Sequence, residues 1–201
     1  MLPVLVGSSD GASGHRREHA DAVEYQFDVL ESIGREPGRQ YVFAHVLVPH
    51  PPFVFLEDGT YAPDEATFES QLAGTNRRIR AFVEPLVSLP EAERPIIIIQ
   101  GDEGPYRERF RDDRDGFDWA TASDAELLAK FGILNAMYLP GPEGDAPLRS
   151  GMTAVNTYPE LFRRYFGSDV ADRPDRVMAS NQSHPFDLLD VTVRLEAAAS
   201  N

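Results

Sequence analysis

The groups in this sequence best placed to do chemistry are an imidazole and two carboxylates, each just past an apolar run. His50 follows YVFAHVLV (residues 41–48), and Asp102 and Glu103 follow the four isoleucines of PIIIIQGDEG. Adjacent carboxylates on a glycine-flanked turn can offer oxygen ligands to one hard divalent cation. An imidazole can ligate through nitrogen or donate to an anionic oxygen. Each group also has a plainer reading. A carboxylate pair after a strand is more often a solvated turn or a helix cap, and one histidine among prolines is unspecific. The cluster RERFRDDRDGFD (107–118) reads as a solvated face, with a lesser reading in which Arg107 or Arg109 reaches an anionic substrate. No GxSxG elbow, glycine-rich phosphate loop or HExxH is present, which disfavours a serine triad, a P-loop and a zincin. The sequence has no cysteine, so thiol nucleophiles, zinc–thiolate sites and disulfides are excluded together.

The elements that must position these groups follow from periodicity. Val23, Phe27, Leu30 and Ile33 recur at helical spacing and predict a helix from about His15 to Ile33, with Gly34 as its stop. Residues 41–48 read as a buried strand, with His45 a satisfied core histidine inside it. Phe68, Leu72, Thr75, Ile79, Phe82 and Leu86 place one apolar stripe on a second helix, which Pro85 should kink or end. The isoleucine run predicts a strand covered on both faces, and ILNAMYLPG (133–141) predicts another. Strand, long helix and strand in that order predict a parallel βαβ unit. Ligands of such sheets bind beyond the carboxyl ends of the strands, where His50 and the Asp102–Glu103 pair would converge. Residues 106–130 read as a charged excursion with one short helix. Thr157 and Glu160 have capping-box spacing and Asn156 reads as a cap, while His15, His19 and His184 carry no partner signal.

Composition sets the outer bounds. The 201 residues, 42% hydrophobic and 26% charged, suit one globular domain. We expect flexible ends over 1–14 and 194–201 around a folded body at 15–193. A net charge of −14 repels phosphate backbones and argues against a nucleic-acid partner. An anionic substrate would then need a local positive charge, such as a metal. The apolar start is too short for a secretory signal, and no run reaches membrane-span length.

The order PHPPF, long helix, PIIIIQGDEG, ILNAMYLPG and VNTYPELFRRYFG resembles the latter half of the alkaline phosphatase/sulfatase superfamily. The likeness is strongest to sulfatase-like domains of bacterial membrane proteins related to lipoteichoic acid synthase, and it runs from roughly His15 to Asp190. The resemblance implies a three-layer α/β/α sandwich with a mostly parallel sheet. It implies metal-assisted attack at a phosphate or sulfate ester, of the cell envelope if the kinship extends so far, at an extracytoplasmic site. By the same resemblance His50 contacts the ester's anionic group and Asp102 and Glu103 are metal ligands, with Asn156 structural where aspartate is usual. Glu103 stands where histidine or asparagine is usual, which would favour manganese, magnesium or calcium over zinc. The family's acidic first-strand ligand and helix-initial nucleophile have no match before His15. The resemblance therefore reads the chain as a C-terminal half, completed by an N-terminal half or by a homodimer through an open sheet edge. The rival reading is a degenerate, non-catalytic module that binds a ligand or partner.

Overall fold

The computed structural model describes residues 9–34, 36, 38–106 and 108–200 and divides the chain into two compact units, Met1–Arg94 and Pro95–Asn201. Each is built around its own small core.

In the first unit, α1 (Ser9–Ile33) begins ahead of the expected start and takes in part of the segment expected to be a flexible end. Its Ala20, Val23 and Phe27 are buried against Val54 and Phe55, with Val46, Val48, Tyr61 and Ile79 packed around them. α2 (Phe68–Val87) starts at a reciprocal cap. The Ser70 N–H donates to Thr67 Oγ1 at 3.2 Å and the Thr67 N–H to Ser70 Oγ at 2.9 Å. Pro85 lies within the last turn, and the helix stops two residues later at Val87. Gly74 lets α2 approach the preceding loop, because a Cβ there would stand 2.7 Å from the Leu56 carbonyl oxygen.

Residues 41–48 are not a strand. They run without regular structure, and Tyr41, Val42, Phe43 and Leu47 are exposed, as is His45, which is therefore not a core histidine. β-branched and aromatic residues favour extended backbone, but a strand also needs a hydrogen-bonded neighbour. What the structure supplies here is a side chain, Gln26 Nε2 donating to the His45 carbonyl at 2.9 Å.

In the second unit, β1 (Ile97–Gln100) and β2 (Asn135–Tyr138) do form where expected, but they pair antiparallel, from Ile97 opposite Tyr138 to Gln100 opposite Asn135. β3 (Met178–Ala179) and β4 (Leu189–Asp190) make a second antiparallel pair. Two separate two-stranded antiparallel sheets replace the expected three-layer sandwich with its mostly parallel sheet. The isoleucines of β1 are only half-buried, so the run that predicted cover on both faces lacks it. A run of β-branched residues reports extended backbone; it does not report the direction of the neighbouring strand.

The core of this unit comes from the stretch expected to be a charged excursion. Phe110 in α3 (Glu108–Asp112), Phe117, Trp119, Ala122 and Leu127 in α4 (Asp124–Phe131) are buried together with Ala179 and Val191. Trp119 lies 4.8 Å from Phe110 and from Phe117 between ring centroids, and its Nε1 donates to the Ser180 carbonyl at 2.9 Å. The capping box of this unit is Ser123 with Glu126 at α4, not Thr157 with Glu160. At α5 (Thr157–Phe166) Glu160 instead bonds Arg163 and Arg164, and Thr157 Oγ1 accepts from Asn135 Nδ2 at 3.1 Å. Gly167 ends α5 at φ 60°, as a helix stop requires. α6 (Thr192–Ala199) continues through most of the expected flexible tail and buries Ala198.

Asn156 is fully buried and ties the start of α5 to the segment ahead of β3. It donates to the Arg173 carbonyl at 2.8 Å and to Asp175 Oδ1 at 2.9 Å, and accepts from the Arg173 N–H at 2.8 Å. Asp175 Oδ1 also accepts from the Thr153 N–H and hydroxyl, both at 2.7 Å, while Arg149 pairs with its other oxygen. Burial opposes the charged carboxylate, but these donors outweigh it and hold Asp175 well below the usual carboxylate range. A depressed folded-state pKa stabilises above the unfolded value and is lost as pH falls below it. Asp175→Asn is therefore expected to cost about 2 kcal/mol at neutral pH, with the gap to wild type narrowing below pH ~4, in urea melts across that range.

Candidate functional site

The turn after β1 is set by backbone approach. The Gly101 N–H donates to the Leu134 carbonyl at 2.9 Å, extending the β1–β2 ladder, and the Gly104 N–H donates to the Lys130 carbonyl at the end of α4, also at 2.9 Å. Between these anchors Asp102 is exposed and its Oδ1 accepts from the Glu103 N–H at 2.9 Å. This is an ordinary local turn bond.

Glu103 is engaged differently. The Tyr106 hydroxyl donates to its Oε1 at 2.6 Å, and the Lys130 ammonium pairs with its Oε2. Lys130, the chain's single lysine, is buried, with its Nζ 4.0 Å from the Tyr106 ring centroid and 5.3 Å from that of Phe110. Its aliphatic stem can lie in the aromatic core while its charge meets Glu103 at the edge. Burial works against the Glu103 carboxylate, but the hydrogen bonds from Lys130 and Tyr106 and the Lys130 charge prevail, so Glu103 sits below its ordinary value. The Tyr106 hydroxyl is raised in turn, chiefly by its bond to Glu103. This is an ion pair with a phenol clamp, and it occupies both oxygens that the resemblance assigns to a metal.

His50 lies in the first unit, on a loop fixed by the buried Gln71 of α2. Gln71 Oε1 accepts from the Val54 and Phe55 N–H groups at 2.8 and 3.3 Å, and its Nε2 donates to the His50 carbonyl at 3.1 Å. The His50 ring is exposed and its Nδ1 stands 2.6 Å from the Pro51 carbonyl oxygen. A carbonyl can only accept, so Nδ1 carries the proton and Nε2 is the atom left for a ligand.

The second unit therefore brings together Glu103, Lys130 and Tyr106, with Asp102 beside them. Arg107 lies outside the described residues. Arg109 is committed to Glu126 at 3.0 Å and to Thr121 Oγ1 at 3.2 Å, and its guanidinium lies over the Phe117 ring. Sequence reasoning missed Lys130, which is distant from Glu103 along the chain and marked only by being the sole lysine. It also missed Gln71, which nothing in the apolar stripe of α2 singles out, and the relation of His19 to His15 and His50. The four-residue spacing of His15 and His19 was the available signal.

A divalent cation at this turn would have to compete with the Lys130 ammonium and the Tyr106 hydroxyl for Glu103. One carboxylate remains for it in Asp102, Glu103 is neutralised by an ammonium, and among the described residues no group of three or more His, Asp or Glu side chains stands close enough to hold a metal ion. Among the described residues, no helix is long and apolar enough to cross a membrane. No family model, no curated protein and no solved structure matches this chain.

Proposed function

We propose that this chain is a non-catalytic binding module that holds the anionic group of a phosphate or sulfate ester at His50 without turning the ester over. The envelope esters that the resemblance implies are the natural candidates. The observation that carries this reading is the engagement of Glu103 by Lys130 and Tyr106. A metal-assisted hydrolase needs carboxylates free to charge-balance a cation that in turn polarises the ester. Here Glu103 has been charge-balanced from within, and Asp102 stands alone. The loop that carries His50, by contrast, is fixed by three hydrogen bonds from one buried side chain, a form of preorganisation that suits binding.

The test is a pair of assays on the full chain with manganese and magnesium present. Chromogenic phosphate monoester, phosphodiester and sulfate ester substrates are expected to show no turnover above buffer, while calorimetry detects binding of the sulfate ester that His50→Ala removes. Turnover that disappears in Asp102→Ala would establish a hydrolase in place of this reading.

A further inference from the structure

The first unit carries a cluster of imidazoles that the turn chemistry does not use. α1 places His15 and His19 one helical turn apart on the same face. His19 precedes Ala20, whose side chain is fully buried in the packing of α1 against Val54 and Phe55, and the His19 ring is half-buried with it. His50, on the loop leading into Val54, lies near enough for its charge to act on His19, as does that of His15. Among the described residues, the Nε2 of His19 is buried without a hydrogen-bond partner. Such an atom costs on the order of 1–3 kcal/mol until it is satisfied.

The two arginines on this stretch of α1 are already matched, while Glu18, exposed between His15 and His19, has no ion-pair partner among the described residues. Arg16 pairs with Asp64 at 3.1 Å, and Arg17 pairs with Asp21 and Glu24 while lying over the Tyr61 ring. The imidazoles are the remaining source of positive charge there, and their charge depends on pH. The His50 Nδ1 proton is committed to the Pro51 carbonyl, so its Nε2 can donate to an anionic oxygen only when the ring is an imidazolium.

We propose that His15, His19 and His50 together form a proton-coupled site for a tetrahedral oxyanion, a sulfate or phosphate group. This rests on the reading that His50 meets the ester's anionic group, and it adds the two helical histidines and a proton to that contact. Without a ligand, burial and the neighbouring imidazoles disfavour the protonated ring of His19 and hold it below its ordinary value. An anion lifts that penalty, so binding takes up protons and is stronger at low pH.

Sulfate is the suitable probe because its own charge does not change between pH 6 and 8. Calorimetry of the full chain is expected to show sulfate binding that tightens about tenfold or more from pH 8 to pH 6, with proton uptake read from buffers of different ionisation enthalpy. His19→Gln and His15→Gln should each weaken sulfate binding at pH 6 by roughly three- to tenfold and reduce the proton uptake. His15 is exposed, so its variant tests the site without disturbing the core, and a thermal melt checks that His19→Gln is folded. Sulfate binding that His50→Gln removes but His15→Gln and His19→Gln leave unchanged would overturn this inference and keep the ligand reading. Binding that does not vary with pH would also overturn it. No sulfate binding at either pH would overturn both.

Discussion

Gln71→Ala should cost the first unit about 3–5 kcal/mol and, at the same time, loosen the loop that presents His50. Gln71 is fully buried, and its amide satisfies three backbone groups that no helix or sheet ladder reaches, the N–H groups of Val54 and Phe55 and the carbonyl of His50. Val54 and Phe55 are themselves core residues, so water cannot readily replace the lost acceptor. Each buried orphan costs roughly 1–3 kcal/mol, and a cavity adds to that. Gln71→Met separates the two terms, since it keeps much of the volume and removes the hydrogen bonds. It should recover only the smaller part of the loss. Urea denaturation followed by far-UV circular dichroism measures both, and sulfate affinity should fall with either variant. A loss under 1 kcal/mol in both would mean that the loop is held by packing alone.

Gly104→Ala is the second large effect, expected at about 3 kcal/mol or more. A Cβ at Gly104 would stand 1.7 Å from the Ala129 carbonyl oxygen and 3.0 Å from that of Lys130. Both are backbone atoms at the end of α4, so no side chain can rotate out of the way. Either the turn or the end of α4 must shift, which breaks the Gly104–Lys130 hydrogen bond and draws Lys130 away from Glu103. The single tryptophan, Trp119, packs against Phe131 at 4.9 Å and reports this region by fluorescence. Its emission should shift toward that of the unfolded chain at a lower urea concentration in the variant.

How much of this was legible in the sequence depends on whether the signal was local. α1 and α2 were readable because a periodic apolar stripe is a property of consecutive residues, and the stop at Gly167 because a left-handed cap favours glycine. β1 and β2 were readable as extended segments, but their antiparallel pairing was not, since direction is set by the chain between them. The run at 41–48 carries strand propensity without a hydrogen-bonded neighbour. Phe110, Phe117 and Trp119 were hidden because short helices and turns contribute them singly among charges, with no period for a sequence reading to find.

The candidate site divides in the same way. The turn Gly101–Gly104 and the PHPPF loop were visible as motifs. The partners that decide what they can do, Lys130 for Glu103 and Gln71 for His50, were not. Each lies on a helix well separated along the chain, and each is chosen by burial rather than by spacing. The buried ammonium changes the chemistry most, because it turns one of two candidate metal ligands into half of an ion pair.

Manganese titration of the full chain by calorimetry, wild type beside Asp102→Ala and Glu103→Gln, shows whether the acidic turn can take a cation. All three are expected to behave alike, with no binding tighter than roughly 100 μM, because Lys130 and Tyr106 already occupy the Glu103 oxygens. Low-micromolar manganese binding to the wild type, lost in both variants, would contradict that expectation.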